Sequence, residues 1–248
     1  MDKLIYSSLS AMRAAMARQT MTANNLANIN TAGFRAEMSS STALWLKGDG
    51  LDARATNSGE VTSADLSEGT IVESGRPLDV AVQGKDTWLA VQSREGDEAY
   101  TRRGDLQISD SGLLTTGDGM PVLGDGGPIT LPPYDKLTIA ADGTISIVPQ
   151  GGDPSQVQTV DRLKLVATNG IPIAKGLDGL FRPRSGGTLA PDPQATVRQG
   201  AIEGSNVNAI ESMVGMIQVA RQFEAQMRLL QNAEANDKSA AQLLGVQG

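Results

Sequence analysis

Residues 213–230 read Met213-Val214-Gly215-Met216-Ile217-Gln218-Val219-Ala220-Arg221-Gln222-Phe223-Glu224-Ala225-Gln226-Met227-Arg228-Leu229-Leu230. Met213, Met216, Ala220, Phe223, Met227 and Leu230 alternate steps of three and four residues. That spacing predicts an apolar seam along one side of a long helix. Asn208, three residues before Glu211, resembles a capping box at its start, with Asn in place of Ser or Thr. Ala233, Ala240 and Leu244 continue the face less strictly. A second stripe, Ile210, Val214, Ile217 and Ala241, widens it beyond what one partner helix covers.

The other end of the chain has the same character. Ile5, Leu9, Met12, Met16, Ala23 and Leu26 keep heptad spacing, with Gln19 as one polar member. Asn28, Asn30, Thr31 and Gly33 then stop the pattern, and Gly33 is expected as a C-terminal cap. All 11 prolines lie between Pro77 and Pro193, while eight of nine methionines lie in residues 1–38 or 213–227. Proline and glycine punctuate short elements, and their absence lets helices run long.

Between the ends, Asp-Gly and Asn-Gly pairs recur: Asp49-Gly50, Asp118-Gly119, Asp125-Gly126, Asp142-Gly143, Asn169-Gly170 and Asp178-Gly179. They suit the positive φ of tight hairpin turns. Short β-favouring runs separate them at 78–82, 88–92, 137–140, 144–148 and 163–167. The expected fold is therefore α+β. Long N- and C-terminal α-helices would pair as a coiled-coil-like stem, with a central antiparallel all-β domain, barrel-like or sandwich-like. The expected boundaries are a first stem helix in 1–36, an extended, weakly ordered connection in 37–75, the β domain in 76–195 and the second stem helix in 196–248.

Composition narrows function. The chain has no Cys and no His, so thiolate chemistry and the commonest general base and metal ligand are missing. A net charge of −7 argues against a sequence-independent nucleic-acid binder. Asp110-Ser111-Gly112 matches an aspartic-protease triplet, but that chemistry needs two carboxylates sharing a proton, and the reading here is a Ser-Gly turn. The Asp-Gly pairs lack the alternating acidic ligands of a calcium loop. Arg102 and Arg103 are expected on solvated strand faces, and Trp45 is a candidate exposed aromatic. No catalytic, cofactor or metal site and no small-molecule substrate emerges. No apolar run spans a membrane, and residues 1–30 lack a secretory leader's apolar core.

Several motifs point the same way. Thr22-Ala23-Asn24-Asn25-Leu26-Ala27-Asn28 followed by Thr31-Ala32-Gly33-Phe34-Arg35 resembles the N-terminal signature of bacterial flagellar rod, hook and hook-associated proteins. Ser74 to Val82, Tyr100-Thr101-Arg102 with Gly104, Ser111 to Leu114, and Gly124 to Pro132 resemble its central segments. Gln199-Gly200, Glu203 to Asn208, Met213 to Ile217, and Arg221 to Glu224 resemble its C-terminal signature. The start Met1 to Tyr6 and the modest length look most like the family's proximal rod members. One departure is Lys85-Asp86-Thr87-Trp88-Leu89, where the family often has paired aromatics after glycine.

The resemblance implies a non-enzymatic axial subunit that polymerises through its terminal helices into a drive shaft for motility. It implies partners among copies of itself and other rod proteins. It also implies delivery by the flagellar type III export apparatus, without a cleaved signal peptide, to the periplasmic rod of the basal body. The expected assembly interface is Ile5, Leu9, Met12, Met16, Asn24, Asn25, Leu26 and Asn28 at one end. At the other it is Met213, Met216, Ile217, Phe223, Met227 and Leu230. The amides of Asn24, Asn25 and Asn28 are read as bonding to neighbouring subunits, since three such groups are costly to bury without partners. A distal rod or other axial protein is the close alternative, and an envelope adaptor built from a helical hairpin and a β domain the more distant one.

Overall fold

The computed structural model describes residues 2–45, 55–153 and 155–245. Two helices frame the chain, α1 (Asp2–Ala27) and α2 (Ala209–Gly245). The expected cap is present on α2: Asn208 Oδ1 accepts the N–H of Ile210 (3.0 Å) and of Glu211 (3.3 Å). The chain divides into two compact units. One contains 1–27, 37–63 and 208–248, and the other 28–36 and 64–207.

In the first unit the two helices touch in antiparallel fashion. Arg18 Nη2 donates to Gln222 Oε1 at 3.3 Å, and Thr22 lies beside Gly215. The expected coiled-coil-like stem is not what forms. On α1 the buried positions include Ser8, Ala15 and Thr22, seven residues apart, with Ala14 and Asn25; on α2 they are Val219 and Ala233. The large apolar side chains of the expected seam are turned about one position, or roughly 100°, away from this line. Leu9, Met16, Met213, Ile217 and Met227 stay exposed. Short side chains allow close backbone approach, which longer ones at the same places would prevent.

The expected connection over 37–75 also differs. It carries two of the longest strands, β1 (Glu37–Trp45) and β2 (Ala55–Ala64), which form their own two-stranded sheet. The pair Asp49-Gly50 lies outside the described residues, as do the side chains of Ile5, Trp45, Ala240, Ala241 and Leu244.

The second unit is not one barrel or one sandwich. It is a set of small antiparallel sheets around a five-stranded one. The other strands used below are β3 (Ile71–Glu73), β4 (Val80–Gln83), β5 (Thr87–Gln92) and β6 (Glu98–Thr101). The five-stranded sheet runs Leu165–Ala167, β5, β6, Phe181–Pro183, Ile173–Lys175. A three-stranded sheet holds Tyr134–Ile139, Thr144–Pro149 and Gln158–Arg162.

Strand alternation builds two cores from the same residues' neighbours. On β5, Leu89 and Val91 join a large cluster with Val80, Leu114, Ile145 and Leu163. Trp88 and Ala90, on the other face, join Tyr100, Phe181 and Leu189. The departure at Thr87-Trp88 is thus a core position, with the Trp88 and Phe181 rings 4.5 Å apart.

Near the C-terminal end, Thr196–Gln199 pairs with β4 and Ala201–Glu203 pairs with β3. Gly200, at φ 75°, makes the switch between them. Residue 203 is thereby delivered to a fixed place in the unit.

Candidate functional site

Glu203 is fully buried, and so are Arg35 and Arg102. Arg102 approaches Glu203 Oε2 with Nε and Nη2, each at 2.7 Å. Arg35 Nη1 lies 2.7 Å from Oε1, an ion pair set off the line of an N–H bond. Gly69 N–H also donates to Oε1, at 2.8 Å. Arg102 Nη1 donates to the carbonyls of Gly84 (2.7 Å) and Thr87 (2.6 Å). The partly exposed Glu68 is 3.6 Å from Arg102 Nη2. Burial pulls the Arg35 guanidinium below its ordinary range, against the attraction of Glu203 and with a push from Arg102. Trp88 lies 6.0 Å from the Arg35 guanidinium.

This cluster corrects the expectation that Arg102 and Arg103 sit on solvated faces. Arg102 is enclosed, and Arg103 is half-buried with both ends of its fork on Asp105, at 2.7 and 2.9 Å. An arginine in isolation reads as solvated because its desolvation is costly. Its acceptor here lies 101 residues away in sequence.

The N-terminal and C-terminal signatures meet at the same place. Gly33 N–H donates to the Glu203 carbonyl at 2.7 Å. Asn206 Oδ1 accepts the Ala36 N–H (2.7 Å), and its Nδ2 donates to the carbonyls of Asp65 and Ser67, each at 3.0 Å. Gly33 does not cap α1, which ends at Ala27. It has φ 65°, and a Cβ there would lie 2.3 Å from the Arg102 carbonyl carbon, so glycine serves close backbone approach.

The asparagine signature has partners within the chain. Asn25 is buried and uses both ends of its amide on one residue: Oδ1 accepts Glu37 N–H at 2.8 Å and Nδ2 donates to Glu37 O at 2.9 Å. Asn24 Nδ2 donates to Glu37 Oε1 at 3.0 Å, and Asn28 Oδ1 accepts from Thr31 Oγ1 at 3.1 Å. The amide of Asn25 therefore fastens the start of β1 rather than reaching outward. Of the apolar candidates, Met12, Leu26, Met216, Phe223 and Leu230 are half-buried. The exposed ones on α2 gather with Ile210, the most open at 76 %, and Val214. Asp110-Ser111-Gly112 forms a hairpin turn, with Gly112 at φ 80°. Among the described residues no acidic group is arranged to hold a metal, and no described helix is long and apolar enough to cross a membrane.

Comparison with known proteins bears on these ends directly. Residues 5–35 match the family model for "Flagella basal body rod protein". Residues 81–147 match that for "Flagellar hook protein FlgE/F/G D1 domain", and 198–243 that for "Flagellar basal body rod FlgEFG protein C-terminal". The flagellar basal-body rod protein FlgF of Salmonella typhimurium is 42% identical, over 99% of this chain and 100% of its own length. The chain belongs to the flagellar basal-body rod protein family. FlgF of Escherichia coli has the same identity and coverage, and FlgG of Bacillus subtilis is 28% identical over 94% of this chain. The protein is a FlgF-like structural subunit of the basal-body rod and not an enzyme, and it assembles with other basal-body rod proteins.

Proposed function

We propose that this chain is a proximal rod subunit that joins its neighbours, copies of itself and other rod proteins, through the open apolar faces of α1 and α2. The observation that carries this reading is the row Ile210, Met213, Val214 and Ile217, left exposed on α2. Leu9 and Met16 on α1 are exposed likewise. Contiguous exposed apolar surface marks an interaction site, and methionine adapts to contacts that are not all equivalent. The half-buried Met12, Leu26, Met216, Phe223 and Leu230 would complete the interface. We further propose delivery to the periplasmic rod by the flagellar type III apparatus with no leader removed.

The test is a pair of variants, Met213→Asp and Ile217→Asp. Both positions are exposed, so the purified protein should lose no more than about 0.5 kcal/mol of stability. Incorporation into basal bodies, measured by mass spectrometry against other rod proteins, should fall sharply. Normal incorporation of both variants would place the interface elsewhere. The intact mass of the wild-type chain in the same preparation checks the leader.

A further inference from the structure

Glu203 holds the N-terminal segment 28–36 in a way no other residue does. Its carbonyl accepts the Gly33 N–H and its carboxylate faces Arg35. The same carboxylate separates two buried cations, Arg35 and Arg102, whose only other described acidic neighbour is the half-exposed Glu68. The remaining ties on the segment carry no opposing charge: Asn206 bonds Ala36 and Phe34, Asp65 N–H donates to the Ala36 carbonyl at 2.8 Å, and Lys175 Nζ donates to the Arg35 carbonyl at 3.1 Å and lies 3.9 Å from the Phe34 ring. By contrast, the members of the two apolar cores lie within 78–197, joined by the partly buried Ala64, and none comes from 28–36.

We propose that Glu203 is a charge latch: its carboxylate docks residues 28–36 on the rest of the second unit, and removing that charge releases the segment while both cores persist. Without the carboxylate, two guanidiniums face each other out of water, a state relieved only by rehydrating one of them. Arg102 is anchored by the Gly84 and Thr87 carbonyls. The Arg35 guanidinium is the less anchored of the two, since its Nε and Nη2 have no acceptor among the described residues.

Hydrogen exchange on the full chain tests this. In Glu203→Gln, peptides covering 28–36 should exchange on the order of a hundredfold faster, the low end of what breaking one buried ion pair costs. Peptides covering 87–92 and 143–149 should be unchanged. Unchanged exchange over 28–36, or acceleration of every peptide together, would each overturn the latch. A second variant separates charge from packing. Adding Arg35→Met to Glu203→Gln removes one of the opposed cations and leaves an apolar side chain beside Trp88, so protection of 28–36 should largely return. Failure of that rescue would show that lost contacts, rather than opposed charge, release the segment.

Discussion

Tyr100 shows how much one side chain contributes where strand faces and loops converge. Its ring is in the Trp88 core, while its hydroxyl donates to Glu98 Oε1 at 3.0 Å and accepts the Leu189 N–H at 2.5 Å. Burial pushes the phenol up to about 12; the Leu189 N–H opposes this and Glu98 adds to it. The ordinary value is about 10. The folded state therefore holds a proton that the unfolded chain releases between those values. The stability it contributes is complete below about pH 10 and is lost as pH rises through about 12. Absorbance titration of the three tyrosines should show one ionising near pH 12. Tyr100→Phe should remove that step and flatten the alkaline loss of stability. Three phenols ionising together near the ordinary value would contradict the burial.

Among the elements, the start of β1 depends on a helix side chain. Asn25 substitutes for a strand neighbour by bonding both backbone groups of Glu37. Asn25→Ala removes both bonds and should cost about 1–3 kcal/mol. Asn25→Asp keeps the acceptor and should cost less. Denaturation midpoints and exchange at the Glu37 amide check both, and equal effects would mean that the acceptor bond, which Asp keeps, contributes nothing. The elements themselves were largely legible. The run expected at 144–148 is a strand at Thr144–Pro149, and Asn208 caps α2 as its spacing suggested. Turn chemistry was legible with one refinement. Among the described pairs only Asn169-Gly170 places both residues at positive φ; Asp118, Asp142 and Asp178 precede a glycine that alone does so, and at Asp125-Gly126 neither does, the positive φ falling on Gly127 instead. The face of each helix was not legible. Hydropathy marks where large apolar groups lie, but the buried line follows Ser8, Ala15 and Thr22, where small size permits approach. The Arg35–Glu203–Arg102 cluster was also hidden, because no local pattern links three charges from distant parts of the chain. The signal available was each one's place inside a signature motif.

For the whole molecule, the division into two units has an energetic consequence. The second unit contains both apolar clusters, and the first relies on helix contacts through small side chains. A fragment spanning 28–207 should keep the near-ultraviolet signal of Trp88 against Phe181 and unfold in one cooperative step. A fragment without fixed aromatic packing would show that α1 or α2 is needed for the second unit to form. Such a result would also tie the two cores to the helices.

The distance in sequence between Arg35 and Glu203 also sets an order in time. A chain emerging N-terminus first presents residues 28–36 long before residue 203 of 248 exists. At about 5–20 residues per second the wait is on the order of ten seconds or more. Throughout that interval both arginines remain hydrated and the signature segment has nowhere to settle. The last fifth of the chain thus decides when residues 28–36 settle, and a polypeptide cut short before Glu203 is recognisable by that untethered segment.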